Sequence, residues 1–328
     1  QKRHRRRRLA RGLLLGGAAV GLPALANALI ARRVRPLPPA SWGHGRRYAW
    51  RHGEVAYRDL GKGRPLLLVH SLGPGHDSEQ WRAAAEPLSD DHRVVAADLL
   101  GWGRSDKPVL RYDGELYIEL LVDLLEDVIG ERAALVAAGL PATYALQVAV
   151  DRPDLVSALA LVTPAGLDLH ADEPDLMDAL VHWALRFPVL GTSALNLYTS
   201  RGALAQYLRR DLALAQDVDP GHLEHHYRSS HQRGAHAALA ALLAGYSNHP
   251  ASEALTRLTT PLWLAWGRVA THPPIEAADL WLHRAPRARL EIFEASANLP
   301  NLEEPAAFAS RLGRWLAVEP AGARAEGK

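Results

Sequence analysis

ALVAAGLPATYALQV, residues 134–148, decides the fold. Its first half is a short continuous apolar run, as a strand buried on both faces would be. Its second half spaces apolar residues as a helix does. Between them Gly139 permits a left-handed turn, and Pro141 suits a first helical position, where no N–H is needed. The stretch therefore reads as strand, sharp turn, helix, with Gly139 at the apex.

Working outward, the same alternation covers most of the chain. RYAWR (47–51) and GEVAYRDLG (53–61) form a leading antiparallel pair. Strand PLLLVH (65–70), helix EQWRAAAEPL (79–88), strand HRVVAADLL (92–100) and helix GELYIELLVDLLEDVIG (114–130) precede the turn. Strand VSALALVTP (156–164) follows it, and PLWLAWG (261–267), PIEAADLWLHRA (274–285), RLEIFEAS (289–296) and PAAFASRLGRWLAV (305–318) complete the pattern. Strands separated by crossover helices predict a mostly parallel sheet covered on both faces. Residues 46–166 and 256–318 are assigned to this α/β core, and 167–255 to a helical lid over the strands' C-terminal ends, where such sheets bind ligands. Residues 319–328 read as a disordered tail.

Lys2, Arg3, Arg5, Arg6, Arg7, Arg8 and Arg11 crowd the beginning of the chain, and Gly12 to Ala31 then carries no charge. Twenty residues at about 1.5 Å each just cross a hydrocarbon core of about 30 Å, although Gly, Ala, Pro23 and Asn27 dilute the apolarity. Segment 1–34 is read first as a membrane anchor through residues 12–31, with a secretory signal or a helix lying on a membrane or on the protein itself as alternatives. The Pro/Gly-rich stretch 35–45 reads as a linker. Net charge is +2, so the globular part carries no nucleic-acid footprint. The absence of cysteine excludes disulfides, thiolate catalysis and thiolate metal sites.

Three further segments carry a resemblance: VHSLGPGHDSEQW (69–81), ADLLGWGRSDKP (97–108) and NLPNLEEPAAF (298–308). In order and spacing they resemble the α/β-hydrolase family, in the branch of small-molecule esterases, epoxide hydrolases and haloalkane dehalogenases. The resemblance implies a nucleophile at the centre of a Gly-x-Nuc-x-Gly elbow. Here that centre is Gly139, the implied acid position after Trp266-Gly267 is Ala270, and the implied base position is Asn298. No Ser, Asp or Cys occurs in 133–142, no Asp in 264–278 and no His beyond 283. A glycine cannot attack, an alanine cannot orient an imidazole, and an amide is not a useful base.

The expectation is thus a hydrolase fold without its triad, needing no cofactor, that binds a small apolar molecule or a membrane protein partner. The backbone N–H of Leu140 and one from Ser71 or Leu72 remain as oxyanion-type donors. Ser71 stands where the resemblance implies Gly. The competing expectation is an ester hydrolase with a relocated nucleophile, Ser71, served by His76, His272 and Asp168. Asp98 and Asp106 are implied to hold turns. His222 and His226, spaced i, i+4, share a helical face as some metal ligands do, but solvated histidines are the simpler expectation and no metal is predicted. Trp183, Tyr198, Tyr207 and Tyr246 either line a pocket under the lid or form its core.

Overall fold

The continuous apolar runs become strands because both faces of the sheet are covered. Leu67 and Val69 point into one core and Leu66 and Leu68 into the other; Leu135 and Ala137 alternate in the same way with Ala134, Val136 and Ala138. The computed structural model describes residues 20–167, 169–172, 174–213 and 218–322. Eight strands are β1 (His44–Trp50), β2 (Gly53–Leu60), β3 (Arg64–Val69), β4 (His92–Ala97), β5 (Ala133–Ala138), β6 (Val156–Val162), β7 (Leu262–Gly267) and β8 (Arg289–Phe293). They lie in the order β1-β2-β4-β3-β5-β6-β7-β8. β1 pairs antiparallel with β2, β2 antiparallel with β4, and all other pairs are parallel.

Helices α2 (Arg82–Leu88), α3 (Gly114–Asp123), α4 (Pro141–Asp151), α11 (Ala278–Arg284) and α13 (Pro305–Gly322) are the crossovers and flanking layers. α3 runs on into a π-helical turn, Leu124–Ile129, closed by Gly130 in the left-handed region. α13 continues to Gly322, so residues 319–322, read from sequence as part of a tail, are helical; 323–328 lie outside the described residues.

The insertion is helical, as expected: α5 (Leu176–Arg186), α6 (Leu190–Tyr198), α7 (Arg201–Asp211), α8 (Pro220–Ser230), α9 (Ala235–Leu243) and α10 (Ser252–Arg257). Caps explain several starts. Asp175 and Asp178 make a reciprocal capping box on α5, and Asp219 caps α8 ahead of Pro220.

The N-terminal side of the chain is held against the body at two places. Residues 12–19 of the apolar segment lie outside the described residues, while 20–33 form a helix, α1. α1 is docked on the lid: Asn27 Nδ2 donates to Val189 O at 3.0 Å, and Asn27 Oδ1 accepts from Asn196 Nδ2 at 2.9 Å and Ser193 Oγ at 3.2 Å. The hydrogen bonds of a mid-helix Asn therefore go to protein. Among the described residues no helix is long and apolar enough to cross a membrane. Nor is 35–45 a free linker. Arg104 Nε donates to Pro38 O, Gln232 Nε2 to Arg35 O, and buried Trp42 donates to Glu79 Oε2, so the segment is strapped to the body.

Candidate functional site

Gly139 caps β5 with φ +64°, and its carbonyl accepts from Ala142 N and Ala165 N. The sharp strand-to-helix turn is therefore built as its sequence predicts. A Cβ placed on Gly139 would lie 2.6 Å from Ser71 Oγ and 3.3 Å from Ser71 Cβ. The space into which a side chain at the elbow would project is thus taken by the hydroxyl of the loop after β3.

That hydroxyl has no base. Ser71 Oγ makes no hydrogen bond to any described residue, and neither His76 nor His272 pairs with it. His76 is buried at 3% exposure, with Nε2 3.0 Å from Tyr207 Oη and 3.9 Å from Asp211 Oδ2, and Nδ1 3.5 Å from Gln80 Oε1. Burial, aided slightly by His225, outweighs Asp211 and holds its imidazole below the ordinary value and hence neutral. His272 is exposed and its Nδ1 faces its neighbour Thr271 Oγ1. Asp168 lies outside the described residues. The grouping of Ser71 with His76 and His272 is not formed.

Of the three backbone donors expected, Ser71 N is already given to Gln80 Oε1 at 3.0 Å. Leu72 and Leu140 are buried beside the turn, and their N–H groups make no hydrogen bond among the described residues. The neighbouring His70 is a brace: Nδ1 donates to Ser71 O at 2.7 Å, and Nε2 accepts from Leu99 N at 3.0 Å. Burial keeps this imidazole neutral, as an acceptor at Nε2 must be.

The implied acid and base positions do meet. Asn298 Oδ1 accepts from Thr271 N at 3.0 Å and His272 N at 3.2 Å, the two residues after buried Ala270. Its Nδ2 donates to Asp211 Oδ1 at 2.7 Å, at the C-terminal end of α7. The amide has one face that accepts and one that donates, and both are used; a carboxylate or an imidazole could not satisfy all three partners. Asn298→Asp sets a second carboxylate against Asp211 and should cost about 2–3 kcal/mol of stability, read as a lower urea midpoint at pH 7. An unchanged midpoint would mean that the amide is not a staple.

The lid histidines correct the sequence reading most sharply. Predicted as solvated, His226 is 5% exposed and sits at a seam between α8 and the 70–77 loop. Its Nδ1 donates to Pro74 O at 2.9 Å, and its ring lies 5.1 Å from that of His76 and 4.6 Å from that of His222. His225 Nε2 lies 2.8 Å from Asp77 Oδ2. Burial opposes the charge on His225, yet Asp77 outweighs it and raises the imidazole above its ordinary value. Burial pulls His222 down to about 4, and His226 well below its ordinary value. Among the described residues no three or more ligand-type side chains are disposed to hold a metal ion. The cavity at this seam amounts to about 10 Å³, room for one water.

Of the lid aromatics, Tyr207 is at this seam, Tyr246 packs at a tilt against His182, and Trp183 and Tyr198 are exposed at 63% and 40%. Asp98 accepts from Ser78 N and Arg104 N, and Asp106 from Glu54 N, so both hold turns as expected. Gln80 and Asp211, which with Tyr207 connect the seam, were not singled out from sequence. Tyr207 and Asp211 share a face of α7 at i, i+4, a weak signal that any amphipathic helix produces.

A strand order with one antiparallel edge, a glycine elbow after the fifth strand and a lid over the strand ends define an α/β-hydrolase architecture. The family model described as alpha/beta hydrolase fold matches residues 64–305, and the chain belongs to that family. It is 26% identical over 274 residues to 2-hydroxymuconate semialdehyde hydrolase of Pseudomonas sp. (strain CF600), covering 81% of this chain and 91% of that protein. Among solved structures it is similar to the CarC serine hydrolase involved in carbazole degradation, with TM-score 0.70, 22% identity and coverage of 84% of this chain and 99% of that one. A membrane phospholipase A, described as a bacterial virulence factor, aligns over 97% of this chain and 98% of its own with TM-score 0.67 and 22% identity.

Proposed function

We propose that this chain is a non-catalytic member of its family, a membrane-associated scaffold on a hydrolase frame. One observation carries the reading. The position above the elbow is occupied by Ser71 Oγ, a hydroxyl without a base, over a glycine without a side chain. The amide of Asn298, committed to Thr271, His272 and Asp211, supports it further. Triad groups act as a unit, and a frame stripped of them retains only ~10³–10⁴-fold over water.

Between scaffold and carrier of a small apolar ligand, the first is favoured. The seam between lid and loop holds only about 10 Å³. Apolar side chains are instead displayed outside: Val20, Leu22 and Leu25 on α1 and Leu176, Met177, Leu180 and Trp183 on α5 are all at least half exposed. α1 is hydrogen-bonded to α6, against which α5 also packs, so both helices that display these residues border the same lid helix. Clustered exposed apolar residues mark contact with a membrane or a partner protein.

A second reading, ester hydrolysis through Ser71, draws on the unengaged hydroxyl, the free Leu72 and Leu140 donors and the hydrolase names of the relatives. One assay separates the two. Purified full chain on p-nitrophenyl butyrate and octanoate should show no more than the slow background of a triad-less frame, and Ser71→Ala should leave that rate unchanged. Turnover that Ser71→Ala abolishes would establish the second reading instead.

A further inference from the structure

Away from the elbow, a groove of about 540 Å³ opens between the β1–β2 hairpin, the strap 36–39 and the loop 103–107. Its charged lining is entirely cationic: Arg46, Arg47, Arg58, Arg104 and Lys107, with Gln232 at one side. Arg58 is the unusual member. It sits on β2 on the same face as Ala56, is only 8% exposed, and makes no hydrogen bond or ion pair with any described residue. Its nitrogens still reach the solvent of the groove, and a guanidinium so largely enclosed is ordinarily paired.

The surroundings make room for this one. Gly45 is its register partner on β1, and a Cβ there would lie 2.6 Å from Arg58 Nη1. Burial and then the charge of Arg104 weigh against the Arg58 charge and outweigh the more distant Asp98, Glu79 and Asp77, which favour it. The acids behind it are committed elsewhere. Asp98 accepts from Ser78 N and Arg104 N, Asp77 pairs with His225, and Glu79 accepts from Trp42. Arg104 Nη1 is also buried with no hydrogen bond, 3.5 Å from Asp77. Arg46 and Arg47 lean on Asp59 and Glu54 at the solvent edge, and Lys107 Nζ is spent on the carbonyls of Gly103 and Ser105.

We propose that this groove binds a phosphate group, with the Arg58 guanidinium as its forked donor and Arg104 Nη1 as a second contact. A planar fork of N–H donors matches the oxygens of a phosphate, and a low-dielectric wall strengthens the pairing. The groove is larger than the phosphate alone, so the ligand is a phosphate ester. The strap that lines it follows α1 directly, with Arg32, Arg33 and Arg35 between. The ester is therefore either a soluble metabolite or the headgroup of an anionic phospholipid. The site is independent of whether the elbow is catalytic.

The test is calorimetric titration of the full chain, at ionic strength matched with NaCl, against glycerol phosphate and monomeric dihexanoylphosphatidylglycerol. Both should bind saturably, and Arg58→Gln should weaken both by about tenfold or more. Gly45→Ala keeps every charge but displaces the guanidinium, and should weaken binding in the same direction. Without ligand Arg58→Gln should melt no lower than the parent, because it removes a charge that has no partner among the described residues. If Arg58→Gln does not fold, Gly45→Ala decides. Tighter binding of the lipid, lost in the variants, identifies a headgroup site; equal binding of both identifies a soluble ester. No saturable binding, or binding equal in parent and variants, overturns the proposal.

Discussion

Gly139→Ser, although it restores a hydroxyl to the elbow, is expected to remain as inactive on p-nitrophenyl butyrate as the parent and to be less stable. Activity stays absent because Ala270 and Asn298 supply neither an acid nor a base. Stability falls for two reasons. An L-residue at φ +64° costs about 1 kcal/mol or somewhat more. The new Cβ also meets Ser71 Oγ at 2.6 Å, well inside contact distance. Together these should lower unfolding free energy by about 2–3 kcal/mol, the range of an overpacked site. Ser71→Gly removes the clash but not the backbone strain. The double variant should therefore recover about 1–2 kcal/mol, a coupling typical of touching residues. Urea unfolding of the parent, both single variants and the double measures it. Additive effects would show that the two positions do not share the space above the turn. Strong esterase activity in Gly139→Ser alone would sink the assignment of positions 270 and 298.

The second large effect is acid lability. Burial holds His222 and His236 at about 4, and His76, His226 and His70 below their ordinary value. Unfolded, each returns to about 6.5, so between pH 6.5 and 4 the unfolded chain binds more protons than the folded one. Stability then rises with pH in that window and is lost as the medium acidifies. His225, raised chiefly by Asp77 against its burial, and Glu303, raised by burial, work in the opposite sense but are fewer. The charged groups facing the seam, Asp77, Glu79, Arg104, Asp211 and Asp219, are too few to stabilise several imidazolium ions at once. From pH 7 to pH 5 the two imidazoles held at about 4, His222 and His236, should by themselves account for a loss on the order of 4 kcal/mol, at about 1.4 kcal/mol per proton and pH unit. Urea midpoints measured across that range give the slope. His222→Gln should flatten it, and a flat profile in the parent would mean that the lid seam is hydrated.

That seam shows how unevenly the molecule was legible. HLEHHYRSSH reads locally as a polar helix, and nothing in its spacing says that His226 meets Pro74, more than 150 residues earlier. The same holds for Asn27, whose polarity diluted an apparent membrane segment and turns out to bond the lid. Arg58 stands out little in the sequence, because a lone charged residue in a short strand is usually solvated. Its one local signal is that it shares the face of Ala56, and that signal needs Gly45 opposite before it means anything.

What the amino-acid order settled unaided was the sheet, its crossovers, the lid's position in the chain and the glycine apex of the turn. These follow from periodicity and from the backbone freedom of single residues, which are local properties. Only tertiary structure decided that Ser71 fills the space over Gly139, that Asn298 is locked into a three-way staple, and that His76, His222, His225 and His226 gather at one seam away from water. Each depends on side chains brought together from segments tens to hundreds of residues apart. Local patterning records which face is buried, but not which atoms it is buried against.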